Sequence, residues 1–179
     1  SQSPRRIELL KNAGFNFRNI SSNIDEDNIS GVEIRNVSKF LAVEKAKACK
    51  HFAENDEIIL ACDTVVLLGN KIYGKPKDRK DAKEMLLQLS GKMHEVISGV
   101  CLMNDEKQKT FSDVTEVYFR KLTSVQIDFY IDKFQPFDKA GSYAIQEWIG
   151  LVGIEKINGD YYNVMGLPIG EVVLRLKEF

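Results

Sequence analysis

A chain of 179 residues has room for one good-sized core, or for two small lobes sharing a sheet. Its 44% hydrophobic and 28% charged residues, with a formal net charge of −1, are those of a soluble globular protein with no general pull toward nucleic acid or a membrane surface. No apolar run approaches the roughly 20 residues of a membrane helix and no signal peptide is visible. Three scattered cysteines (Cys49, Cys62, Cys101) and two histidines (His51, His94) argue against a disulfide framework, a zinc site or a histidine-rich metal site, with a reducing cytoplasm as the default.

The chain opens on Ser1-Gln2-Ser3-Pro4 without a methionine, which leaves room for a residue or a whole strand upstream. Ser3 as N-cap and Pro4 at the first helical position predict a helix with Ile7, Leu10 and Ala13 inward and Gly14 at its end. Arg5 and Arg6 in the first turn oppose the helix dipole, a cost that a bound anion would reverse. Phe15, Phe17 and Ile20 predict a short strand, followed by a polar loop, Ser21 to Gly31, with Asp25, Glu26 and Asp27. Ser38 to Ala53 predicts an amphipathic helix whose stripe is Leu41, Ala42, Ala46, Cys49, Phe52 and Ala53. Lys45 falls within that stripe and Lys47 outside it, so Lys45 either snorkels or reaches an anion.

Ile58 to Leu68 is the most apolar run, rich in β-branched residues, and predicts a buried central strand. Asp63 interrupts it, and a carboxylate there costs several kcal/mol unless paired, hydrogen-bonded or metal-bound. Arg5, Arg6, Lys45 and Lys75 are the cations expected to converge on it. Gly69-Asn70 is a hairpin signal returning through Lys71 to Tyr73, and Gly74-Lys75-Pro76 is a stiff turn presenting a lysine. Asp78 and Asp81 cap a helix with Ala82, Met85, Leu86 and Leu89 inward, stopped by Ser90-Gly91. Strands are predicted over 93–103 and 109–121, with His94 a structural group at the start of the first. Thr123 and Gln126 form a capping box for a helix with Ile127, Tyr130, Ile131 and Phe134 inward. Phe137 to Gln146 has the small, polar make-up of a binding loop. Leu151 to Ile157 predicts a strand, and Pro168 starts a last helix with Ile169, Val172, Val173 and Leu176 inward.

Two arginines at a helix N-terminus, a lysine on a Gly-Lys-Pro turn and a lysine in a helix stripe suit a polyphosphate. Neither a Walker A motif nor GxGxxG occurs. Asp63, with an acidic partner such as Glu26, could hold Mg²⁺ or Mn²⁺, or orient a water toward phosphorus.

Six blocks, in order, resemble the Maf family of nucleoside triphosphate pyrophosphatases: residues 1–6 (SQSPRR), 61–66 (ACDTVV), 74–78 (GKPKD), 89–91 (LSG) with His94, 138–146 (DKAGSYAIQ) and 159–168 (GDYYNVMGLP). Cys62 departs from the family pattern at one position, and the short strand that precedes the first block in the family is absent. The resemblance implies one α/β domain over 1–179, bilobed and related to the inosine triphosphate pyrophosphatases, with a mixed central sheet flanked by helices and a cleft between lobes. It implies cleavage of a nucleoside triphosphate between the α- and β-phosphates with a divalent metal, by a homodimer; the cytoplasm and the absence of nucleic acid or membrane partners follow from composition and cysteine usage. By motif, Asp63 would activate water and Glu26 would join it at the metal. Ser3, Arg5, Lys45 and Lys75 would bind phosphates, and Arg6, Thr64 and Gln146 would govern substrate choice. The 138–146 loop resembles the branch acting on dTTP and UTP, and a Gln amide suits a pyrimidine edge. A purine-type enzyme for 7-methyl-GTP or ITP, and a non-catalytic nucleotide-binding regulator of septum formation, stay open as alternatives.

Overall fold

A computed structural model describes residues 2–54 and 56–179; Ser1 of the first block lies outside them. The protein is α/β. Its five strands form one sheet in the order β2-β1-β3-β4-β5: β1 Ile59–Leu68, β2 Lys71–Tyr73, β3 Met93–Met103, β4 Gln108–Phe119 and β5 Ile154–Asn158. The helices are α1 Pro4–Asn12, α2 Val37–Cys49, α3 Arg79–Leu89, α4 Ser124–Phe134, α5 Trp148–Gly153, α6 Tyr161–Met165 and α7 Ile169–Leu176. No helix among the described residues is long and apolar enough to cross a membrane.

The chain divides into two compact units. The first comprises Ser1–Thr64, Ser98–Asp113 and Gly166–Phe179. Here α2 lays Ala42 and Ala46 on Ile59 and Ala61 of β1 and on Cys101 and Met103 of β3. All four strand residues are odd-numbered, so α2 covers a single face. Gly99 is what lets it approach: a Cβ there would stand 2.2 Å from the Lys39 backbone nitrogen and 2.3 Å from the Ser38 carbonyl carbon.

The second unit comprises Val65–Ile97 and Val114–Met165. The Gly69-Asn70 turn closes β1 onto β2 in antiparallel register, Leu68 opposite Lys71 and Val66 opposite Tyr73. Asp78 caps α3 by accepting from the Asp81 backbone N–H at 2.8 Å, and the Thr123–Gln126 capping box forms on α4 as expected. Ala82, Leu86, Leu89, Ile127, Tyr130 and Ile131 from these two helices share one core with Val66, Val96, Val117 and Phe119.

Five expectations require correction. Residues 15–20 form no strand; extended backbone becomes a strand only by laddering, and this stretch is instead held by Arg18, which donates to the Phe52 carbonyl and to Glu57. The second helix stops at Cys49 and gives way to a 3-10 turn, which leaves Phe52 exposed. Residues 151–153 belong to α5 rather than to a strand. On α1, Leu9 rather than Ile7, Leu10 and Ala13 is the buried residue, and Ala13 is exposed. In α7, Val172 is buried, while Ile169, Val173 and Leu176 are only half-buried.

Candidate active site

Alternation along β1 sends Asp63 to one face of the sheet and Cys62 and Thr64 to the other. Asp63 shares its face with Ile59 and Ala61, under α2, and is 7% exposed. Lys45, one turn beyond Leu41 on α2, donates from Nζ to Asp63 Oδ1 at 2.6 Å. The same Nζ lies 2.8 Å from Glu26 Oε1. Burial works against the Lys45 charge, but the Asp63 carboxylate, and then Glu26, more than offset it and hold the ammonium above its ordinary pKa. Lys45 therefore stays charged across the physiological range and supplies the counter-charge that a carboxylate in this strand requires. Lys47 points outward to Glu44, as its helical position predicts.

The 21–31 loop also resolves its own ambiguity. Asp25 accepts from the backbone N–H of Asp27 at 3.0 Å, closing a local turn, and Glu26 is the acid brought to Lys45. Glu26 and Asp63 thus flank one cationic centre. Among the described residues no group of three or more His, Cys, Asp or Glu side chains is placed to hold a metal ion.

On the opposite face a second cluster forms around Arg6. Its Nε donates to the Gly166 carbonyl at 2.7 Å and its Nη2 to Thr64 Oγ1 at 3.0 Å. Thr64 Oγ1 also shares a 2.8 Å hydrogen bond with Ser98 Oγ, and the Cys62 thiol donates to the Gly166 carbonyl at 3.3 Å. Burial raises the Cys62 pKa, so the thiol is protonated and acts as a small packed donor. These contacts change one expectation: Arg6 does not converge on Asp63, but braces its neighbour Thr64 across the strand. They also explain the α1 face, since Arg6 and Leu9 lie three apart and both turn inward. Arg5 is half-buried beside Arg6, and Ser3, at the N-cap position, makes no side-chain capping bond.

Lys75 and Gln146 lie in the second unit, both with exposed side chains. The Lys75 turn is tied to the 138–147 loop by the Gly141 backbone N–H, which donates to the Gly74 carbonyl at 3.0 Å. Gly141 has φ +68° and abuts Val66, a position suited to glycine. The loop itself is pinned by side chains whose pairings the residue patterns do not specify. Buried Lys139 meets, through Nζ, Asp138 at 2.7 Å and Glu147 at 3.4 Å. Tyr130 donates to Glu147 and accepts from the Ala144 backbone N–H at 3.1 Å. His94 Nε2 shares a 2.7 Å hydrogen bond with the Tyr143 hydroxyl, inside an edge-to-face cluster with Phe119. Ser98 carries no local signal, because its role depends on which strand faces Thr64 and Arg6.

A family model described as Maf-like protein matches residues 1–179. The chain is 51% identical to a dTTP/UTP pyrophosphatase of Thermosipho africanus over 172 residues, covering 96% of this chain and 87% of that protein. It is 44% identical to the dTTP/UTP pyrophosphatase of Cytophaga hutchinsonii over 178 residues, 99% of this chain and 81% of the other. A third relative of that name, from Bacteroides fragilis, is 45% identical over 179 residues, 99% and 93% of the two chains. With a match along its whole length and identities of this order, the chain belongs to the Maf family.

Proposed function

We propose that this protein hydrolyses nucleoside triphosphates, dTTP and UTP foremost, between the α- and β-phosphates, releasing the nucleoside monophosphate and pyrophosphate. The observation that carries the reading is full-length similarity to relatives named dTTP/UTP pyrophosphatase. The pair of half-buried Lys45 and buried Asp63 supports a mechanism on this chain's own residues. Asp63, held by the strand and hydrogen-bonded to Lys45, accepts the proton of the attacking water as the α–β bridging bond breaks. Ser3, Arg5, Lys45 and Lys75 bind the phosphates, the arginine as a fork and the lysines as compact charges. Arg6, Thr64 and Gln146 act in substrate choice.

Two carboxylates flanking one cationic centre, Glu26 and Asp63, are the hard oxygen donors that Mg²⁺ or Mn²⁺ accepts. Such ions are held by one or two carboxylates together with substrate phosphates and waters, so this donor set fits a metal shared with the nucleotide. When bound, it would offset the charge that develops on the phosphate oxygens. The same reading treats residues 1–179 as one catalytic domain, working in the cytoplasm as a homodimer.

The test is pyrophosphate release from dTTP, UTP, CTP, ITP, GTP and 7-methyl-GTP with Mg²⁺ or Mn²⁺, by wild type and Asp63→Asn. Turnover of dTTP and UTP that falls about a hundredfold or more in the variant is expected. Preference for a purine would keep the chemistry and overturn the assigned substrate. No turnover of any nucleotide would sink the enzyme reading.

A further inference from the structure

Gln146 is exposed, yet the segment around it is fastened more heavily than a surface loop needs. Lys139 is 8% exposed, and a buried ammonium costs several kcal/mol unless it is paired. It is paired twice, with Asp138 beside it and with Glu147 eight residues on, so the ion pair closes the loop at its base. Glu147 is next to Gln146 and also accepts a hydrogen bond from the Tyr130 hydroxyl. Tyr130 is wholly buried on α4, and its hydroxyl oxygen accepts in turn from the Ala144 N–H, two residues before Gln146. Thus one phenol satisfies both the carboxylate after Gln146 and the backbone before it. The α4 capping box and the shared α3–α4 core hold that phenol in place.

We infer that Tyr130, Glu147 and Lys139 are positioning residues, a latch that fixes the backbone on both sides of Gln146 and so sets the aim of its amide toward the nucleotide base. This rests on the reading of Gln146 as a specificity residue, and it adds to it the means by which an exposed amide becomes directional. A glutamine on a loose loop would sample many orientations and discriminate weakly; one whose flanking backbone is fixed pays little ordering entropy when it binds. The latch also reaches the other proposed ligand in this unit, because Gly141, inside the closed loop, bonds the Gly74 carbonyl next to Lys75.

The experiment uses the full chain and compares wild type, Gln146→Ala, Glu147→Gln and the near-isosteric Tyr130→Phe. It reads kcat and KM for dTTP, UTP and ITP, together with amide hydrogen exchange over residues 140–147. The expected result is that both latch variants reproduce much of the Gln146→Ala loss of pyrimidine-over-ITP preference, about tenfold, with KM moved more than kcat. Exchange at Ala144 to Glu147 should rise in the latch variants and stay near wild type in Gln146→Ala. A purely structural role would lower the fraction of folded protein without changing the substrate ratio, and that outcome overturns the inference. Unchanged exchange in both latch variants overturns it as well, whatever the activity. Inactive wild type, or a substrate ratio that Gln146→Ala leaves intact, would instead strike the underlying reading and remove the latch's purpose with it.

Discussion

His94 is 1% exposed, with Nε2 on the Tyr143 hydroxyl and Nδ1 without a hydrogen-bond partner. Its ring is packed edge-on against Phe119 and Tyr143, so burial alone lowers its pKa to about 3. The unfolded chain takes up a proton at this histidine below about pH 6.5, whereas the folded ring stays neutral until about pH 3. Between those values the unfolded state binds more protons, so stability falls as the solution is acidified and is unaffected by this group above pH 7. From pH 7 to pH 4 the His94 share of that loss should be about 3 kcal/mol. Urea unfolding of wild type and His94→Gln across this range checks it, since glutamine keeps a polar contact for Tyr143 without titrating. Parallel pH profiles for the two proteins would rule it out. This places His94 with the loop's support, in line with the structural reading of a lone histidine at a strand start.

At the scale of elements, α2 matters because it delivers Lys45 to Asp63, and Gly99 decides how near it lies. A methyl at Gly99 would meet backbone atoms of Ser38 and Lys39 at 2.2 to 2.4 Å, and backbone cannot rotate away as a side chain can. Gly99→Ala should therefore lift the helix start and cost about 3 kcal/mol. Because Lys45 rides on the same helix, turnover should fall in parallel. Gly170, inside α7 with open space around its ideal Cβ, is the control: Gly170→Ala should be neutral or stabilising by up to about 1 kcal/mol. Chemical denaturation of both variants gives the answer, and equal effects would contradict the packing argument. The same contrast explains what could be read in advance. The central strand, the Gly69-Asn70 hairpin, the Asp78 cap and the Thr123–Gln126 box are local and carry their signals within a few residues. Within the Leu151–Ile157 run, 154–157 is strand as expected and only 151–153 is helical, because short apolar stretches serve helix and strand alike. What decides it is the turn just upstream: Gly150 lies so close to the Ile145 carbonyl that a Cβ would stand 1.7 Å away, and its N–H closes a helical turn onto Glu147. The candidate site divides in the same way. Asp63 and Lys45 were legible as a carboxylate in an apolar strand and a lysine in an apolar stripe, whereas the pairing of Arg6 with Thr64 and Gly166 spans up to 160 positions and has no local signature.

At the scale of the molecule, the proposed metal and nucleotide should bind as a coupled pair. Lys45 Nζ stands between Glu26 and Asp63 at 2.8 and 2.6 Å, so in the free protein an ammonium already balances both carboxylates. Two carboxylates that share a lysine form a weak site for a divalent ion by themselves, and an ion entering there meets the charge of Lys45. A triphosphate changes both terms: its oxygens add hard donors, and its negative charge gives Lys45 another anion to face. Metal alone should then stabilise the protein little, and chelation should leave the unfolding temperature nearly unchanged while abolishing turnover. A slowly hydrolysed dTTP analogue supplied with Mg²⁺ should raise it well beyond the sum of the two added singly. A ligand at a hundred times its Kd contributes about 2.7 kcal/mol, and for a domain of this size each kcal/mol moves the midpoint by about 2–4 °C. The joint shift should therefore approach about 5–10 °C. Thermal unfolding in the four conditions decides the matter. Strong stabilisation by the metal alone would mean that the protein holds a complete ion site, and that Lys45 is not the group that occupies its centre in the free state.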